Sequence, residues 1–281
     1  MTEEQKTAET VEKKEKIVQD KTKGHVLDVS PGCLATDLPA GYIYEGEIHT
    51  TAIIREMRGH EEDILAGKGP IVPRLNAVMG NCLEALGAIT DKDILKKAAS
   101  ELTAPDRMAI LLAIRRVSLG DFYDCKVTCP ECNVEQHTTL DLSEIEIIPM
   151  PDRMKRERVD VLSSGTEIKW HVTSAKDEEW QTEQAKKKVD VLSIGLLSRV
   201  DAINGVGLDR VKEYKKAIDA LKGLSIRDRS EMRSLFEREE GTVDTNVEYK
   251  CDRCNHEWSA EMNVGQLSFF FPSASDRKSV V

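Results

Sequence analysis

The sequence predicts an α+β fold built of two related helix-rich halves, each carrying a cysteine turn on short strands. Three observations carry this expectation. Helix-period apolar patterns alternate with short β-branched runs along most of the chain. Two C-x-x-C steps occur, Cys129-Pro130-Glu131-Cys132 and Cys251-Asp252-Arg253-Cys254, each preceded by strand-like residues. Cys251 follows Cys129, and Cys254 follows Cys132, by the same 122 positions.

That offset extends beyond the cysteines. It places Leu102-Thr103 on Leu224-Ser225 and Asp106-Arg107 on Asp228-Arg229. It also places Ile110 on Met232, Ile114 on Phe236 and Asn133 on Asn255. Downstream, Ile145, Ile147 and Ile148 fall on Leu267, Phe269 and Phe270. A repeat of this length reads as a domain duplication, because solenoid repeats are only 20–50 residues long.

Four thiolates offered as two such turns match zinc's tetrahedral sulfur shell. Single zinc motifs place roughly 15–20 residues between their pairs, whereas 118 intervene here. A shared ion held by Cys129, Cys132, Cys251 and Cys254 would therefore join the halves through one zinc-ribbon-like site. A closed set of four sulfurs fits a structural Zn2+ rather than a catalytic one. Unmetallated pairs and a redox dithiol are the alternatives. Cys125, His137 and His256 stand near the turns, but their counterparts at the offset are Val247, Ser259 and Val134, which argues against a common ligand role.

Composition narrows the classes. The net charge of −10 argues against a general nucleic-acid surface, and 5% aromatic residues provide little for base stacking. The apolar runs are too short for a membrane span, and the chain reads as made in a cytoplasm. Seven cysteines, four of them in paired turns, suit metal binding in a reducing compartment better than a disulfide framework.

Taken in order, residues 1–41 are expected to be a mobile tail and linker. The first 24 are mostly polar and charged, and Pro31-Gly32 and Leu38-Pro39-Ala40-Gly41 punctuate the rest. The first half, 42–151, opens on two short strands around Gly46, with a helix starting at Glu61-Glu62-Asp63. Gly67-Lys68-Gly69 lacks the spacing of a phosphate loop. Leu75, Val78, Met79, Cys82, Leu83 and Leu86 describe one helix face, with Cys82 a core residue. Asp91 to Ala99 forms a short helix. Thr103 then caps a longer one, with Pro105 in its first turn and Gly120 at its end.

Residues 152–158 (DRMKRER) read as a solvated linker or, alternatively, a docking patch. The second half, 152–272, continues with a strand at Glu167 to Thr173 and a helix capped by Ser174. Val189, Leu192, Leu196, Leu197 and Val200 form an apolar stripe, Val211 to Leu221 a further helix, and Ser225 to Glu239 a second capped helix. Phe269, Phe270 and Phe271 either close the core or form an exposed docking segment. Residues 273–281 are expected to fray.

The run from Leu102 to Arg115, followed by Ser118-Leu119-Gly120 and the Cys129–Cys132 turn, resembles the baseplate hub and tail assembly proteins of contractile-tailed phages. Arg58-Gly59-His60-Glu61-Glu62-Asp63-Ile64-Leu65 also resembles that family's upstream segment. The resemblance covers residues 45–150 well and the second half loosely. It implies a non-enzymatic protein that builds, or forms part of, a tail baseplate. Its partners would be other tail or baseplate proteins, met in the host cytoplasm during assembly, and its final place is either there or in the virion tail. The rival class is a zinc-ribbon nucleic-acid-binding or regulatory protein. The acidic balance and the lack of interleaved basic and aromatic residues weigh against it.

Overall fold

The computed structural model describes residues 30–187, 189–262 and 264–271. Most of the expected N-terminal tail and the frayed segment at 273–281 lie outside these residues. Contacts divide the chain into Met1–Pro31 and Gly32–Val281, and all the elements described belong to the second unit.

β1 (Cys33–Tyr44) pairs antiparallel with β2 (Glu47–Arg55), joined by a tight turn at Glu45 and Gly46, both at positive φ. The expected linker through residue 41 is thus a strand. Leu38, Ala40 and Tyr42 are buried along it, and the register shifts between Asp37 and Tyr42. Such a bulge is a place where a strand accepts Pro and Gly.

Side chains from distant segments satisfy the bulged backbone. Asp106 Oδ1 accepts from Ala40 N–H at 2.7 Å and from Gly41 N–H at 2.9 Å. Arg153 donates to the Pro39 and Leu38 carbonyls, and Arg156 to those of Ala40 and Gly41. The 152–158 run is therefore neither a solvated linker nor a docking patch at these arginines. They brace β1, and Arg158 pairs with Glu239.

α1 (Gly59–Ala66) and α2 (Ile71–Cys82) follow. The apolar stripe expected to run on to Leu86 changes geometry at residue 83. Leu83 and Leu86 are buried, but on β3 (Leu83–Leu86), which extends the sheet in the order β1-β2-β3. α3 (Lys92–Glu101) matches the short helix expected from Asp91 to Ala99, with Asp91 as its cap. α4 (Ala104–Leu119) starts at Thr103, whose Oγ1 accepts from Asp106 N–H and donates to Asp106 Oδ2 at 2.6 Å. β4 (Phe122–Thr128) and β5 (Glu135–Asp141) form a hairpin around the first cysteine turn.

A similar succession of elements then recurs. β6 (Ile147–Ile148) leads to a further hairpin, β7 (Glu157–Val161) and β8 (Glu167–His171). α5 (Ala175–Ala185) and α6 (Val191–Leu197) come next, then β9 (Val200–Ile203) and the short β10 (Val206–Gly207). The sheet runs β10-β9-β8-β7. The stripe expected around α6 is corrected in part: Leu196, Leu197 and Val200 are buried, whereas Val189 and Leu192 face solvent. α7 (Tyr214–Lys222) starts after the expected Val211, which is exposed.

α8 (Ile226–Glu240) is capped by Ser225, whose Oγ accepts from Asp228 N–H at 3.0 Å. Gly241 leaves it at φ +69, where a side chain would meet Met150 N at 2.7 Å. β11 (Thr242–Val243) pairs with β6, and β12 (Asn246–Lys250) with β13 (Glu257–Glu261). α9 (Leu267–Phe270) ends the described chain. The offset match does not persist here, because Ile147–Ile148 is strand while Phe269–Phe270 is helix.

Two apolar cores result, and each draws on residues from both sides of position 151. The first packs β1–β3 and α1–α4, and includes Val243, Met262, Val264, Phe269 and Phe270. The second centres on Trp170 and Phe236, with rings 4.8 Å apart, and includes Ala40 and Met150. The terminal Phe residues thus serve the core: Phe269 and Phe270 are buried, and Arg115 Nε donates to Phe269 O at 3.0 Å.

Candidate metal centre

The two cysteine turns are built alike. Cys129 N–H donates to Val134 O at 3.0 Å, and Asn133 N–H returns to Cys129 O at 3.0 Å. Cys251 N–H donates to His256 O at 2.8 Å, and Asn255 N–H returns to Cys251 O at 2.9 Å. Each loop closes through an Asn at positive φ, 54° for Asn133 and 57° for Asn255. Asn tolerates that left-handed geometry better than most residues. Each turn buries its first cysteine and leaves its second more open.

The hairpins bring all four sulfurs together. Cys129 Sγ lies 3.7 Å from Cys254 Sγ, and Cys132 Sγ lies 3.6 Å from Cys251 Sγ. All four sulfurs lie within 4.8 Å of one another. A disulfide requires about 2.0 Å between sulfurs, so these thiols are not joined. Zinc–sulfur bonds of about 2.3 Å in a tetrahedron put sulfurs roughly 3.8 Å apart, close to the observed spacing. The group could therefore hold a metal ion, and it comprises the four cysteines singled out by spacing. Cys125, His137 and His256 stand outside it.

Local hydrogen bonds prepare one of the thiols. The Cys254 N–H reaches Cys251 Sγ at 3.5 Å and leads the influences that draw that thiol down to about 7. A lowered thiol gives up its proton more readily to a cation. Sequence reasoning passes over Gln136, whose amide bonds to the backbone on both sides of Cys251. Its partners lie 114 and 116 positions away, and no local pattern signals them.

A second polar group lies where β8 meets α5. His171 Nδ1 is 2.8 Å from Asp201 Oδ2, and its Nε2 is 3.4 Å from Asp177 Oδ2. The bonds to Asp177 and then Asp201 hold the imidazole up to about 9. Burial would raise the Asp177 carboxyl, but His171, Ser174 and Arg210 hold it well below the usual carboxylate range. Both ring nitrogens are engaged, so the cluster joins strand to helix.

These features define a protein of mixed helix and strand whose paired hairpins carry a four-sulfur group able to hold a metal ion. A family model described as T4 bacteriophage base plate protein matches residues 76–272, a span that includes both cysteine turns. The chain belongs to that family, and with it to the components of a phage baseplate. No curated protein and no solved structure matches it. Among the described residues, no helix is long and apolar enough to cross a membrane.

Proposed function

We propose that the chain is a non-enzymatic part of a contractile-tail baseplate, either within the hub or as a factor that assembles it. A structural zinc ion held by Cys129, Cys132, Cys251 and Cys254 joins its two halves. The family match across both turns is the observation that carries this reading. Four thiolates leave a tetrahedral ion no open position for substrate, which favours a structural role over a catalytic one.

The halves are related by duplication. Three repeated features support this: the caps at Thr103 and Ser225, the Asn-closed cysteine loops, and the order hairpin, two helices, strand, two helices, cysteine hairpin, with short β10 and β11 added in the second half. The protein meets other tail proteins in the host cytoplasm during assembly and, as a hub component, is carried into the virion tail.

Native mass spectrometry on protein purified gently from its own source tests the reading. One zinc per chain with bound tail proteins is the expected result. Zinc with co-purifying nucleic acid and no protein partner would overturn the baseplate role in favour of a nucleic-acid-binding one. Absence of metal would overturn the zinc assignment.

A further inference from the structure

Gln136 lies on β5, in the first cysteine hairpin, and its amide reaches the second. Nε2 donates to the Lys250 carbonyl at 2.8 Å, and Oε1 accepts from Asp252 N–H at 3.1 Å. Lys250 and Asp252 flank Cys251 in sequence. One planar amide therefore fixes the chain on both sides of a sulfur-bearing residue, using its donor and its acceptor together. The bond is one-sided within the repeat. The counterpart of Gln136 at the 122-residue offset is Trp258, which stacks on Tyr249 at 5.5 Å and on His256 at 6.1 Å.

We propose that Gln136 is a positioning residue for the metal centre: it holds Cys251 in place and so sets how tightly the ion is retained. This rests on the zinc reading of the site. The four sulfurs come from two separate hairpins, so they converge only while those hairpins stay in register. Gln136 joins the hairpins directly and spends part of the ordering cost before metal arrives. With its flanking backbone held, Cys251 stays close to the other three sulfurs whenever one contact opens. Partners that orient ligands in this way typically change metal affinity by about 10–100-fold when removed.

The test uses the full chain loaded with Zn2+ or Co2+ and compares wild type with Gln136→Ala and Gln136→Leu. Three quantities are measured: the rate of metal transfer to excess chelator, the cobalt absorption spectrum and the melting temperature of the loaded and metal-free forms. Both variants should release metal about 10–100-fold faster, keep the wild-type tetrathiolate cobalt spectrum, and lose more stability in the metal-loaded form than in the metal-free form. Wild-type release rates in both variants would overturn the proposal. So would equal losses of stability in the loaded and metal-free forms, because that pattern marks a purely structural hydrogen bond. A wild-type chain that takes up neither metal would overturn the zinc reading, and this inference with it.

Discussion

The sulfurs of Cys129 and Cys254 lie 3.7 Å apart across 125 positions of sequence. Together with the Cys132–Cys251 contact, this crosses the two turns, so each turn depends on the other for its partners. Replacing one cysteine should therefore abolish metal binding by the whole chain. Cys129→Ser and Cys251→Ser should each bring zinc per chain from one to near zero and lower the melting temperature, because structural metal binding is coupled to folding. Metal analysis and calorimetry check this. Full zinc in either variant would refute the shared site.

Asp106 links two sites through one buried carboxyl: the bulge of β1 at Ala40 and Gly41, and the hydroxyl of Thr103, the cap of α4. Burial pushes its pKa upward, against the bonds it accepts. Asp106→Asn keeps an acceptor for Ala40 and Gly41 and a donor for Thr103, and should cost less than about 1 kcal/mol. Asp106→Ala strands two buried N–H groups and should cost about 2–4 kcal/mol. Urea denaturation of the pair checks the ordering, and equal losses would contradict it.

His171 makes stability depend on alkaline pH. Its ordinary pKa is near 6.5, and in the fold it is raised to about 9 by Asp177 and Asp201. A raised imidazole contributes stability that is fully present below the ordinary value and is lost as pH rises through about 9. The contribution is on the order of 2 kcal/mol. His171→Gln should flatten the fall in stability between pH 7 and 10. A variant that keeps the wild-type slope would assign that fall to other groups.

Phe269 is buried in the first core although it lies far beyond the first cysteine turn, and its ring meets Tyr123 edge-on at 5.1 Å. Phe269→Ala should lower stability by about 3–5 kcal/mol. Phe271→Ala, at a half-buried position, should cost markedly less. Comparable losses would mean that the segment docks differently.

The features legible in the sequence are those whose causes are local. The caps at Thr103 and Ser225 and the paired cysteine turns repeat at one offset, and their geometry is set within a few residues. The bulged β1 was hidden because Pro39 and Gly41 usually end a strand. What rescues it comes from Asp106, Arg153 and Arg156, 65 to 116 positions away. The change from α2 to β3 was hidden because Leu83 and Leu86 continue a helical spacing while pairing with β2. Gln136 carried no signal, since its partners are backbone groups of a distant turn.

The bond from Arg115 to Phe269 spans 154 positions, and this bears on how the protein is made. A ribosome adding about 5–20 residues per second delivers Phe269 some 8–30 s after Arg115. Until then the helices and sheet of the first core lack their closing side chains and expose apolar surface to the crowded cell. The nascent chain is thus open to chaperone capture or early aggregation over that interval, and slowing translation upstream of residue 262 should lower the yield of folded product.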